Sequence, residues 1–359
     1  MTRSYAAPHA PFAPASAPAR FGGIVAGLMV AITVLFIGEL SVGAVDIAVR
    51  DVVAALIGSA DVNEVARNIV LSFRLPRALN ALFCGAALGT AGLLLQTLFR
   101  NPLADPYVLG IVHGARLACA VLVTLAGVAG NALLLRFGVL GDIGLAFSAV
   151  LGSTAVLLLL SWLARRVNTV TLLVVGLMLG YLAVGLISVL LHFIDETQAR
   201  AFKIWDDASF AGATLQQLRI VIPGIVIGLA ASLLLFKPLN GLLLGDNYAV
   251  SMGVAVVRIR RCCLLLAGSL CGLVTAFCGP VAFLGLVAAQ VARGLTRSAD
   301  HAVLMPVAML CGATLGLAAD WVLHLPWSRH VFHLNAVIGL VGAPLALYML
   351  LRRRPGGST

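Results

Sequence analysis

Apolar runs fall at about 24–45, 78–99, 107–129, 143–163, 170–193, 217–236, 262–279, 281–296, 303–323 and 335–351, most of them close to the length a helix needs to cross a bilayer. The pattern predicts an all-α polytopic membrane protein of about ten transmembrane helices. The second run has two dissimilar ends: Arg74-Leu-Pro-Arg77 stands before it, and Gln96, Arg100-Asn-Pro-Leu-Ala-Asp-Pro106 and Leu109-Gly110 close it. Gly85 and Gly89, Gly176 and Gly180, and Gly268 and Gly272 are each four apart within a run. Such spacing lets helix backbones approach closely where lipid offers no hydrophobic drive for association. Tight packing is the first reading of these glycines and a pathway role the second.

Composition narrows the class. The chain is 61% hydrophobic and 11% charged, far more apolar than a soluble domain. The formal charge of +10 does not indicate nucleic acid, because the arginines punctuate the gaps between runs instead of clustering on one face. They act as topology signals. With a cytoplasmic N-terminus, Arg3, Arg20, Arg100, Arg165, Arg166, Lys237, Arg258, Arg260, Arg261, Arg293, Arg297 and Arg352 to Arg354 fall on the inner side, and an even number of crossings returns the C-terminus there. Residues 1–20, rich in Ala and Pro, read as a disordered cytoplasmic tail, 21–352 as one transmembrane domain and 353–359 as a second tail. The run from Gly22 to Gly38 reads as an uncleaved first crossing, since a long tail precedes it and many spans follow. The seven cysteines form no C-x-x-C pair, so neither a disulfide framework nor a zinc knuckle is implied.

Catalytic patterns are missing: there is no H-E-x-x-H, G-x-S-x-G or Walker A loop, and no paired acids within one run. The chain reads as a mover of substrate with no nucleotide loop of its own, so an active importer would need a separate ATPase. An ion-coupled secondary transporter is the rival, and it calls for an acidic or histidine relay at mid-membrane. An intramembrane enzyme stands third.

Four groups of residues carry candidate chemistry. Arg74 and Arg77 either offer guanidinium groups to acids of an extracytoplasmic partner or snorkel to lipid phosphate. Between Lys237 and Arg261, Gly245-Asp246 and the Ala249/Met252/Val256 spacing predict a short amphipathic helix, seated in a groove on another protein or lying on lipid. His113 and Arg116 in the third run are pathway candidates or lie near the surface. His324, His330 and His333 stand near Asp320, but their spacing assigns no metal site.

The succession Arg74-Leu-Pro-Arg77, Gly85-x-x-x-Gly89-x-x-Gly92, Gln96, Asn101-Pro-Leu-Ala, Leu109-Gly110, Leu244-Gly-Asp246, Gly279-Pro-x-x-Phe-x-Gly285, Asp300-His301 and Gly342-Ala-Pro344 resembles the FecCD-type permease subunits of ATP-binding-cassette (ABC) importers for iron-siderophores, vitamin B12 and haem. The resemblance covers nearly the whole chain after residue 40. It implies a type II importer permease in the bacterial inner membrane, paired with a second permease subunit, identical or not. A cytoplasmic ABC ATPase dimer would lie beneath and a periplasmic binding protein on top, with no nucleic acid involved. No cofactor is expected on this chain; ATP and Mg belong to the partner.

By the same resemblance Arg74 and Arg77 dock the binding protein, with the third docking position on His324 or taken over by Arg329. Gly245, Asp246, Ala249, Ser251, Met252 and Gly253, within a cytoplasmic segment 239–257, form the coupling helix. Gly176, Gly180, Tyr181 and Ser188 of the fifth crossing are the candidate pathway lining, the tenth crossing sharing that role. A ferric siderophore is the first cargo reading, and haem or cobalamin the alternative. Two departures stand out. Ala289-Gln290 replaces the family's Pro-His, which predicts a different local helix geometry, and Val331-Phe-His-Leu-Asn335 replaces Glu-Leu-Pro-x-Gly.

Overall fold

A computed structural model describes residues 17–43, 45–59, 63–128, 139–164, 166–167, 169–325 and 332–352. The chain is helical, with no strand among these residues. In order, the α-helices are α1 (Ala17–Ser41), α2 (Val49–Leu56), α3 (Glu64–Ile69), α4 (Leu75–Leu98), α5 (Ile111–Val128), α6 (Val139–Leu163), α7 (Thr169–Leu190) and α8 (Glu196–Asp206). There follow α9 (Leu215–Leu233), α10 (Phe236–Leu243), α11 (Asp246–Ser251), α12 (Val256–Cys278), α13 (Leu284–Thr296), α14 (His301–Leu323) and α15 (Leu334–Arg352). Seven described helices are long and apolar enough to cross a membrane, and three shorter apolar ones complete the ten predicted runs.

The bundle is built around α4. Its crossing window is 83% buried, against 6% for that of α1. Ala78, Ala81, Gly85, Ala86, Ala87, Gly89, Ala91 and Gly92 all lie inside, which leaves room for neighbours on every side. α14 crosses at Gly85 and Gly89, where a Cβ on Gly89 would stand 2.6 Å from the Ala308 carbonyl oxygen. α13 crosses at Gly92, where a Cβ would meet the Gly285 Cα at 2.9 Å. On the α12 side, the Cys84 and Cys278 sulfurs are 3.4 Å apart as free thiols. The other glycine pairs also serve close packing. Gly176 abuts Leu109, Gly180 faces the His113 ring, and Gly268 and Gly272 pack on Thr154 and Val150 of α6.

Two runs are shorter than the pattern predicts. Residues 101–110 form turns, Gly110 takes a φ of +73°, and α5 begins only at Ile111. Residues 279–283 are non-helical between α12 and α13, and Asn335 holds them by donating to the Pro280 carbonyl and accepting from Ala282 N–H, both at 2.8 Å. The replacement of Pro-His by Ala289-Gln290 leaves α13 continuous from Leu284 to Thr296.

Because α4 meets α14 backbone to backbone, Gly89→Val should destabilise the detergent-solubilised protein by about 1–3 kcal/mol or more through overpacking. Gly185→Val, at a glycine with open space around it, should stay within about 0.5 kcal/mol of wild type. Thermal unfolding of the two variants side by side checks this.

Candidate functional site

At the Arg74 end of α4 the helix is preceded by one π-helical turn, Val70–Arg74. Pro76 explains it: proline has no N–H to give and its ring crowds the carbonyl four residues back, and the wider turn relieves both. Leu75 N–H then reaches the Val70 carbonyl. The wide turn aims Arg74 inward, 5% exposed. Its guanidinium donates to the carbonyls of Leu40 (2.8 Å), Ser41 (2.7 Å) and Val45, and so closes the end of α1.

Arg77 is bound on two sides. It donates to Glu39 Oε2 of α1 at 2.6 Å, and its Nε lies 3.0 Å from Asp320 Oδ2 of α14. Both carboxylates are fully buried. Arg74 and Arg77, expected to dock a binding protein, are each engaged within the chain, Arg74 by carbonyls and Arg77 by an ion pair on either side. His324 Nδ1 bonds the Asp320 backbone carbonyl at 2.8 Å. Burial, and then the nearby Arg77, lower its pKa below the ordinary histidine range.

Ligand atoms of Glu39, Asp320 and His324 lie within 4.8 Å of one another, the spacing of a metal-binding group. Arg77 already supplies the positive charge between the two carboxylates, so the group reads as an ion-pair cluster. His333 pairs with Asp207 at 2.6 Å, apart from that cluster, so the described histidines do not converge. Arg329 and His330 lie outside the described residues.

At the opposite end, α10 and α11 form a small platform. Asn240 of α10 donates to Asp300 at 2.6 Å and accepts from His301 N–H at 2.8 Å, while the His301 ring meets Thr97 of α4 at 2.8 Å. On α11, Ala249 is fully buried and Tyr248 exposes 54% of its surface, while Leu244 before the helix and Met252 at its end expose 63% and 59%. Ser251 and Gly253 are exposed as well, and Gly245 and Gly253 take φ of +108° and +81° where the chain turns into and out of the helix. Of the six residues predicted for this helix, Ala249 packs inward. Asp246 is engaged internally with Arg100 and Arg260.

Between the two ends, the 101–110 turns are tied to α13. Asn101 accepts from Leu103 N–H, and Gln290 Nε2 donates to the Pro102 carbonyl at 2.6 Å and to Gln96 at 3.2 Å. Asp105 accepts from Tyr107 N–H at 2.9 Å and from Leu286 N–H at 3.0 Å. The latter is an otherwise open donor in the first turn of α13, whose own N-cap, Phe283, supplies no side-chain acceptor. Burial raises the Asp105 carboxyl to about 6, against the N–H groups of Tyr107, Leu286 and Val108, which pull it down.

The pathway candidates separate. Arg116 makes a two-pronged ion pair with Asp206 of α8, so it ties two segments together and neither snorkels nor stands open. His113 is buried between Gly180 and the Tyr107 ring, whose centroid is 4.7 Å away. Gly176 packs on Leu109 and Gly180 on His113 of α5, in line with the packing reading of this pair. Tyr181 and Ser188 lie on the exposed face of α7. Sequence reasoning missed Glu39, Asn240, Asp206 and Asn335. Glu39, an acid inside an apolar run, is the one signal that pointed inward.

The FecCD transport family model matches residues 30–352. The chain is 32% identical to the hemin transport system permease protein of Yersinia pestis, over 91% of this chain and 95% of that one. It is 33% identical to the ferric enterobactin transport system permease protein of Escherichia coli, over 93% and 96% respectively. It is also 33% identical to the vitamin B12 import system permease protein of Klebsiella pneumoniae, over 80% and 84%. A solved metal-chelate type ABC transporter in an inward-facing conformation superposes with a TM-score of 0.73 at 26% identity, over 92% of this chain and 99% of that one.

Arg77→Leu leaves Glu39 and Asp320 buried without their cation and should cost about 3–5 kcal/mol; Arg77→Lys should recover part of this, both read from thermal unfolding. Asp105 gives a pH signature. A carboxyl that holds its proton more tightly in the folded state stabilises the fold fully below its unfolded value near 4, and this is lost as pH rises through about 6. Over that window the melting temperature of wild type should fall relative to that of Asp105→Asn, and parallel profiles would refute the assignment.

Proposed function

The chain belongs to the FecCD transport family, whose members are permease subunits of ABC transporters and not enzymes, and on that premise we propose that it is the membrane subunit of an ATP-driven importer of ferric siderophores. The protein is a multi-pass membrane protein. The basic residues near α10 to α13 support a cytoplasmic position for the Asp246 end, with both termini on that side of a bacterial inner membrane.

The observation that carries the reading is the group of exposed apolar side chains on and flanking the short α11: Leu244 before it, Tyr248 and Val250 on it and Met252 at its end. Apolar side chains presented around such a helix suit a groove in another protein, here a partner ATPase that holds ATP and Mg. A binding protein would deliver cargo at the opposite end, where Arg77 and His324 keep 12% and 32% of their side chains accessible and Arg74 braces them from behind. The exposed face of α7 with Tyr181 and Ser188 would meet a second permease subunit across the pathway. Nucleotide binding and hydrolysis would then switch the pair between two packed states by rigid-body movement. The named relatives carry haemin, ferric enterobactin and vitamin B12, so cargo is the part the relatives leave open.

Reconstitution with an ABC ATPase and a binding protein tests this. Uptake of a ferric siderophore should require ATP and survive dissipation of ion gradients. Met252→Asp should lower both ATPase capture and uptake at least tenfold. Uptake that outlasts ATP depletion and collapses with the ion gradient would point to a secondary transporter, and uptake of haem or cobalamin in place of the siderophore would revise the cargo.

A further inference from the structure

The Asp246 carboxylate is closed on by two arginines from different helices. Its Oδ1 accepts from Arg100 Nη2 at 2.7 Å, and its Oδ2 from Arg260 Nη2 at 2.7 Å. Arg100 stands just past the end of α4, and Arg260 lies in the first turns of α12. Backbone conformation adds an independent observation. Arg100 has a φ of +48°, the left-handed region usually given to glycine after a helix, which costs an L-residue about 1–2 kcal/mol. In that conformation the side chain also reaches the Leu242 carbonyl at 3.4 Å, at the end of α10.

All three side chains are partly exposed, at 56%, 40% and 36% for Arg100, Asp246 and Arg260. Ion pairs that wet contribute only about 0–1 kcal/mol each. The cluster therefore adds little to stability. Two donors from two directions do fix where the start of α11 lies relative to α4 and α12.

We propose that Asp246 is the pin of a clamp and not a contact for the partner, and that Arg100 and Arg260 are positioning residues that set the angle of α11. The partner-facing surface is then the apolar group of Leu244, Tyr248, Val250 and Met252, without Asp246. Displacement of that surface passes through Asp246 into Arg100, and so into α4, the most enclosed helix of the bundle. Asn240 makes a parallel tie from α10 through His301 to Thr97 in the last turn of α4, three residues before Arg100. The transmission role rests on the importer reading; the clamp itself does not.

The first arm of the test uses the purified full-length permease in detergent, with no partner. In Arg100→Gln/Arg260→Gln, amide hydrogen exchange across 246–254 should accelerate at least tenfold while the melting temperature stays within about two degrees of wild type. Arg100→Lys/Arg260→Lys should exchange close to wild type. Unchanged exchange in the glutamine pair overturns the clamp.

The second arm adds the ABC ATPase and binding protein. Asp246→Asn should retain ATPase capture within twofold of wild type yet import at least fivefold less cargo per ATP hydrolysed. Capture lost as fully as in Met252→Asp would make Asp246 a contact and overturn the assignment. Accelerated exchange in the first arm, with no ATPase capture even by wild type, would sink the importer reading and the transmission role with it, and leave the clamp standing.

Discussion

In lipid no hydrophobic force draws one apolar helix to another, so helices associate where their backbones can touch. α4 meets that condition against α13 and α14. Its alanines and glycines let α14 cross at Gly85 and Gly89 and α13 at Gly92, so the position of each neighbour is set against the same axis. A larger side chain at one crossing would not merely fill space. It would push two backbones apart and shift every helix that uses α4 as its reference.

The polar groups follow from that arrangement. A helix enclosed along its length can carry charge only where it emerges, and α4 bears Arg77 at one end and has Arg100 just beyond the other. Each arginine holds acids from elsewhere in the chain: Glu39 and Asp320 at the first end, Asp246 at the second. Burial separates their consequences. The fully buried pair at Arg77 cannot lose a member without stranding a charge in a dry site, whereas the wet cluster at Arg100 loses geometry more than energy.

Periodicity and composition made the bundle legible before any coordinates, down to the reading of the glycine pairs as packing devices. What they missed depended on partners far away in sequence. Arg116 looked like an unpaired charge because Asp206, ninety positions on, belongs to a separate short helix. Arg74 and Arg77 looked outward because their acceptors come from α1 and α14. Turn chemistry accounts for the shortened third run: Asn101 and Asp105 each take an N–H two residues ahead, and that local competition ends the helical pattern before Ile111. The amphipathic segment at 246–251 was visible in outline, but which of its residues faces in required Ala249 to be seen buried and Asp246 to be seen held.

The same geometry constrains how the molecule can move. A helix in backbone contact with α13 and α14 cannot slide along either without breaking several close crossings at once, since packed interfaces hold discrete arrangements and do not deform continuously. α1, which buries little of its surface, and α7, which leaves Leu177, Tyr181 and Val184 exposed on one face, carry no such restraint on those faces. A push delivered at the Asp246 end is therefore expressed as joint displacement of α4 with α12, α13 and α14, and the relative motion is taken up where helices are not locked through glycine.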